Sequence, residues 1–215
     1  MRKILSILIF LTSTTISAQS AVQSFEKFLH DFSNLKMYSV EFINSTNQLD
    51  VPSEQGKLYC YGNKQHMKTL SSELICDGEF QLWINHLEQM AVMDRATGAL
   101  ENPIQYLENM KEEIKVEQLI STSDQIEKFT ISFTNSADII HIELNKSNKL
   151  PISIEVYYGG YDGIKIRTEY HNWSFINLDD YTGFRIFGRL IQRDNLGLSL
   201  MGDLVDYEFN NLIPN

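Results

Sequence analysis

Cys76-Asp77-Gly78-Glu79-Phe80-Gln81-Leu82-Trp83-Ile84-Asn85-His86-Leu87-Glu88-Gln89-Met90-Ala91-Val92-Met93-Asp94 holds two short apolar runs separated by turn residues. Strands are read at 80–85 and 89–94, with turns at Asp77-Gly78 and at His86–Glu88. Runs this short and closely spaced pair most simply as neighbours in an antiparallel meander. Upstream the pattern continues with strands at 66–70 and 73–76. Before these, Leu58 and Cys60 alternate with Lys57, Tyr59 and Tyr61, and Gly62-Asn63 reads as a hairpin turn. Val40 and Phe42 alternate with Ser39, Glu41 and Ile43 one strand earlier. Downstream the alternating sets are Phe129, Ile131 and Phe133; Ile140, Ile142 and Leu144; Ile152, Ile154 and Val156; Ile164 and Ile166. Asn145–Asn148 and Gly159–Gly163 are the turns between them, and the tail offers further strands around 184–192 and 198–209.

Two segments have helical period instead. Residues 20–36 place Val22, Phe25, Leu29 and Phe32 on one face, widened by Phe28 and Leu35, with Ser20 and Gln23 at capping-box spacing. Asn102-Pro103 opens a second, barely two-turn helix with Ile104, Leu107 and Met110 on its apolar side. About a dozen short antiparallel strands exceed what a twisted open sheet holds without curling, and a curled sheet needs something on its concave side. The expected fold is α+β: a curled antiparallel sheet forming an unclosed half β-barrel with an α-helical lid. The aromatic row Phe25, Phe28 and Phe32 is either packed core or the wall of an apolar cavity; periodicity does not choose.

The N-terminus carries Arg2 and Lys3, an apolar run from Ile4 to Leu11, and small residues up to Ala18, the order of a secretory leader. The run is too short to span a bilayer. Residues 1–18 are assigned as signal peptide and 19–215 as one domain without repeat or linker. No cysteine lies near the cleavage site, so no lipid attachment is expected there. The full chain has a net charge of −10, and losing Arg2 and Lys3 makes it more acidic. An acidic chain with no basic stripe repels phosphate backbones, which argues against nucleic acid. Cys60 and Cys76 sit in an exported chain where a disulfide would persist. The strand reading places a whole strand between them, which exceeds the bridging distance.

Catalytic patterns are sparse. His30, His66, His86, His141 and His171 show no paired metal-ligand spacing. No Gly-x-Ser-x-Gly elbow occurs, and Tyr158-Gly159-Gly160-Tyr161-Asp162-Gly163 lies between strands without a Lys-Ser/Thr ending. Glu112-Glu113 reads as a solvated pair. No enzyme activity, metal or cofactor is expected.

In order, several of these pieces resemble the LolA-like carriers of outer-membrane lipoproteins. They are the leading helix, the strand Tyr38–Asn44, Gln55-Gly56-Lys57-Leu58, and Cys76-Asp77-Gly78 followed by Leu82-Trp83. Then come Gln89-Met90-Ala91-Val92, Pro103-Ile104 with Leu107, Lys149-Leu150-Pro151 and Gly163. The likeness covers roughly residues 22–176. Tyr61-Gly62 stands where the family's carriers have an Arg-Pro pair that latches the lid. The Asp77-to-Trp83 spacing is one residue longer than usual, Ile84 stands at a position commonly aromatic, and the tail beyond 177 differs. The resemblance implies a periplasmic chaperone that shelters lipoprotein acyl chains in an apolar cavity. Its implied partners are acylated lipoproteins, an inner-membrane transporter and an outer-membrane receptor, with the carrier a monomer. The expected cavity and lid residues are Phe25, Phe28, Phe32, Val40, Phe42, Leu58, Leu82, Val92, Leu107, Ile131, Phe133, Ile142 and Ile154. A second reading uses the same fold as an envelope sensor or regulator of lipid or lipoprotein, with a protein partner as its output.

Overall fold

The computed structural model describes residues 21–35, 37–96, 107, 112–175, 181–194 and 197–213. The leader assigned at 1–18 lies outside these residues. So does the second helix, apart from Leu107, whose backbone is helical and whose side chain is buried. Helix α1 covers 21–33. Fourteen strands follow among the described residues: β1 Met37–Thr46, β2 Glu54–Tyr61, β3 Lys64–Thr69, β4 Ser72–Cys76, β5 Phe80–Asn85, β6 Met90–Arg95 and β7 Ile114–Ser121. The rest are β8 Ile126–Phe133, β9 Ile139–Asn145, β10 Pro151–Tyr158, β11 Ile164–Ser174, β12 Ile191–Asp194, β13 Gly197–Leu200 and β14 Glu208–Asn211.

Twelve strands form one open sheet in the order β14-β6-β5-β4-β3-β2-β1-β11-β10-β9-β8-β7, not closed into a barrel. The meander expected from 66–94 is present as β3 to β6. The β2–β3 hairpin turns on Gly62-Asn63, with Gly62 at φ 59°, the positive value a glycine-led two-residue turn requires.

The tail departs from the expectation. In place of long strands at 184–192 and 198–209, β12 and β13 pair with each other as a separate two-stranded sheet. Short 3-10 turns occupy Thr182–Phe184 and Gly202–Leu204. The last strand, β14, runs parallel to β6, so the large sheet is not wholly antiparallel.

The chain divides into two compact units. The first comprises Met1–Asn34, Asn44–Pro52 and Asn102–Glu169. There α1 lies on one face of the sheet: the Phe129 ring meets Phe25 edge-on at 5.4 Å and stacks with Phe28 at 6.3 Å. Register extends this face through Ile142 and Ile154, opposite one another, and through Ile131, Ile140 and Val156. Ile131, Ile142 and Ile154 are all buried. The other face carries charge: Arg167 contacts Glu155 at 2.9 Å and Glu169 at 2.8 Å.

The second unit comprises Leu35–Ile43, Ser53–Glu101 and Tyr170–Asn215. Its core packs Ile75, Leu82, Ile84, Ala91 and Met93 of the sheet against Ile186, Ile191, Leu200 and Leu204 of the tail. The tail, read as two further strands, thus also covers one face of the sheet.

Cys60 and Cys76 are free. Both register against Gln65 of β3, one from each side, so two strand spacings of about 4.8 Å separate them. Burial pushes the Cys60 thiol up to about 12, against a smaller opposing pull from the Tyr38 side chain. Thiol titration of the denatured, unreduced chain will therefore find both cysteines free. In the folded protein Cys60 will resist alkylation at about pH 8, where an ordinary thiol reacts. Oxidation to an intramolecular bridge without loss of folded structure would contradict this register.

Candidate functional site

The sheet of the second unit has two apolar faces. On the first, cross-strand partners run Tyr59, His66, Ile75, Leu82, Met93. This is the face the tail covers. On the other, the partners run Leu58, Met67, Leu74, Trp83, Val92. Leu74 is buried, whereas Leu58, Met67, Trp83 and Val92 are only half-buried. Phe42 belongs to this second face: a Cβ added to Gly56, two residues before Leu58, would lie 2.6 Å from its ring. A sheet with one face on a core needs only that face to be apolar. Here five adjacent strands each add an apolar side chain to the face the tail does not cover.

Leu82 and Val92 therefore do not share a wall. Met93 is the partner of Leu82, and Val92 is the partner of Trp83. The expectation that Leu82 and Val92 both point inward is corrected: Leu82 is core beneath the tail. Val40 and Phe42 are buried, while Leu58 and Val92 retain partial exposure. In the first unit, Phe25, Phe28, Phe32, Ile131, Ile142, Ile154 and Leu107 are buried, and Phe133 is half-buried. A groove of about 460 Å³ opens beside α1, walled by Val22, Phe25, Leu29, Ile114 and Val116, with Glu26, His30 and Glu112 also lining it. Of the thirteen expected residues only Phe25 lines it. The apolar phase of β7 is the missed signal, since Ile114 and Val116 alternate with Lys115 and Glu117.

Two polar constellations were also unforeseen. Under the tail, His66 Nε2 lies 2.8 Å from Glu73 Oε1 and His66 Nδ1 2.5 Å from the Tyr181 hydroxyl. Tyr181 stacks on Tyr59 at 4.5 Å. Arg189 reaches Glu73 at 3.5 Å and donates to the Gly183 carbonyl at 3.3 Å. His86 Nδ1 lies 3.1 Å from the Tyr207 hydroxyl. In the first unit His141 lies 3.6 Å from Glu155 and 3.1 Å from the Tyr161 hydroxyl. Each histidine thus has a tyrosine hydroxyl within hydrogen-bond reach, and burial holds the His141 imidazole below its ordinary value. The partners of His66 tie the tail to the sheet and leave the histidine almost no solvent access. Among the described residues no group of three or more His, Cys, Asp or Glu is placed to hold a metal ion.

No family model matches the chain, and no curated protein is similar to it in sequence. Solved structures are similar in fold. An uncharacterized conserved protein from Thermus thermophilus matches over 88% of this chain and 98% of its own, with 7% identity and a TM-score of 0.54. The structural neighbours also include a LolA superfamily protein from Nitrosomonas europaea, matched over 76% of this chain and 96% of its own at 12% identity and a TM-score of 0.37. MucB in complex with MucA(peri) matches over 71% of this chain at 11% identity and a TM-score of 0.45. The chain spans 55% of the length of that MucB. At these identities the likeness is one of fold.

Proposed function

We propose that residues 19–215 act as one periplasmic carrier domain that shelters the acyl chains of lipoproteins on their way to the outer membrane, without catalysis. The observation that carries this reading is the apolar row Leu58, Met67, Leu74, Trp83 and Val92, half-buried except at Leu74, on the sheet face away from the tail. Acyl chains need unbroken apolar surface and gain about 0.8 kcal/mol per buried CH₂, so no polar motif is required of the site. Phe42 and Val40, both buried, flank the row as its border. Acylated lipoproteins are the cargo; an inner-membrane transporter would deliver them and an outer-membrane receptor would take them.

The test is native mass spectrometry of the mature protein, purified from the periplasm after co-expression with a lipoprotein in acylated and unacylated forms. A complex with the acylated form alone is expected. The double variant Leu58→Ser/Trp83→Ser will lose the complex while keeping its circular dichroism spectrum, because neither side chain is fully buried. Each apolar side chain so removed is worth about 1.5–3 kcal/mol when fully covered, enough for a tenfold loss or more. No complex with either form, and no co-purified lipid, would sink the carrier reading in favour of a regulator that binds protein.

A further inference from the structure

We infer that the free edge of β7 is a docking site for an extended, basic polypeptide segment that adds as a further strand and drops alternate apolar side chains into the groove beside α1. Strand β7 ends the twelve-stranded order and pairs only with β8 among the described residues. Its register fixes which main-chain groups β8 leaves unused. The Thr134 amide donates to the Glu113 carbonyl at 3.0 Å, and Ile114 stands opposite Phe133. Antiparallel pairing alternates, so Lys115 is bonded to β8 in turn, while Ile114 and Val116 direct their amides and carbonyls outward. These two residues also wall the groove of about 460 Å³ together with Val22, Phe25 and Leu29.

Among the described residues, an unpaired strand edge and an apolar groove therefore run side by side, the combination by which sheet edges recognise extended peptides: main-chain bonds hold the segment and pockets select alternate side chains. The register shift at Val116/Gln118 interrupts the edge beyond this stretch, which confines docking to the regular residues before it. Charge selects the occupant. Glu26 and Glu112 line the groove, no Lys or Arg among the described residues does, and the whole chain has a net charge of −10. A segment alternating apolar and cationic residues satisfies the pockets and the rim together. This site lies in the first unit and does not rest on acyl binding, which the preceding proposal assigns to side chains of the second.

The probe is a synthetic peptide of about ten residues, the length of two short strands, alternating valine and lysine. Amide hydrogen exchange and titration calorimetry are read on the mature protein. Binding is expected to slow exchange at the Ile114 and Val116 amides specifically. Val116→Pro removes an outward amide and leaves the β8 ladder intact, and is expected to weaken binding at least tenfold. Glu26→Lys/Glu112→Lys, at exposed positions that leave folding undisturbed, should weaken it likewise through charge alone. Two results overturn the inference: Ile114 and Val116 amides already protected before peptide is added, which would mean the chain itself covers the edge, or equal binding by all variants. Unchanged peptide binding by Leu58→Ser/Trp83→Ser is expected, so failure of the carrier reading and failure of this one are separable.

Discussion

Phe129→Ala will lower the melting temperature by about 6–20 °C, the shift that a core loss of about 3–5 kcal/mol produces in a domain of this size. Phe129 is 1% exposed and stands between Phe25 and Phe28 of α1 on one side and Ile142 of β9 on the other. Removing the ring leaves a void that Ile142, fixed in a sheet ladder, cannot collapse into. It also removes two aromatic contacts worth about 0.5–1.5 kcal/mol each beyond their area. The loss falls on α1 first, because a helix of this length is held by packing and not by its own propensity. Hydrogen exchange in 21–33 should therefore accelerate at temperatures well below the global transition. Phe133→Ala, at a half-buried position, is the control and should move the transition far less. Equal shifts for the two variants, or a Phe129→Ala melt within 2 °C of the parent, about the effect of a single surface change, would mean that α1 does not depend on this contact.

The reason these strands are legible in the sequence is the same one that makes Phe129 indispensable. From β8 through β10 one phase of each strand is apolar and the other polar: Phe129 and Ile131 against Thr130, Ile140 and Ile142 against His141, Ile154 and Val156 against Glu155. Alternation of that kind fixes strand, face and register together. In β5 it fixes only the strand. Phe80, Leu82 and Ile84 form one apolar phase, but Trp83 occupies the other, and β6 has Ala91 and Met93 in one phase with Val92 in the other. Both phases being apolar, the sequence carries no sign for inward and outward, and the pairing divides Leu82 and Val92 between two faces where one wall is expected.

The tail resists reading for a different reason. Gly188, Gly197 and Gly202 adopt φ of 74°, 128° and 62°, each turning the backbone where the apolar residues alone suggest a continuous strand. The two strands formed between them, β12 and β13, are four residues each, too short for periodicity to show. The polar contacts that seat the tail join residues more than a hundred positions apart, such as His66 with Tyr181 and His86 with Tyr207. No spacing rule reaches that far. His66 is thereby one of the least exposed polar residues among those described.

The seating of the tail makes stability depend on pH through Glu73. Burial by itself pushes this carboxyl up, but the His66 side chain, then the charges of His66, Lys68 and Arg189, outweigh it and hold Glu73 at about 2. The folded value thus lies below the ordinary 4.5 of the unfolded chain, so the folded state binds fewer protons between them. The sign follows: the contribution is complete above about pH 4.5 and is lost as pH falls through 2. A shift of that size is worth about 3 kcal/mol, consistent with the cost of about 3–5 kcal/mol for breaking a buried ion pair from one side. Urea unfolding of the parent and of Glu73→Gln will therefore differ by about 3 kcal/mol at neutral pH, and the two curves will converge towards about pH 2. The variant should also expose the tail: with the residue at 73 neutral, Arg189 and His66 lose their carboxylate, and proteolysis within 181–213 should precede that of the sheet. A stability gap between the two proteins that stays constant from neutral pH to about 2 would show that the tail is held by its apolar contacts with Ile75, Leu82 and Met93 alone.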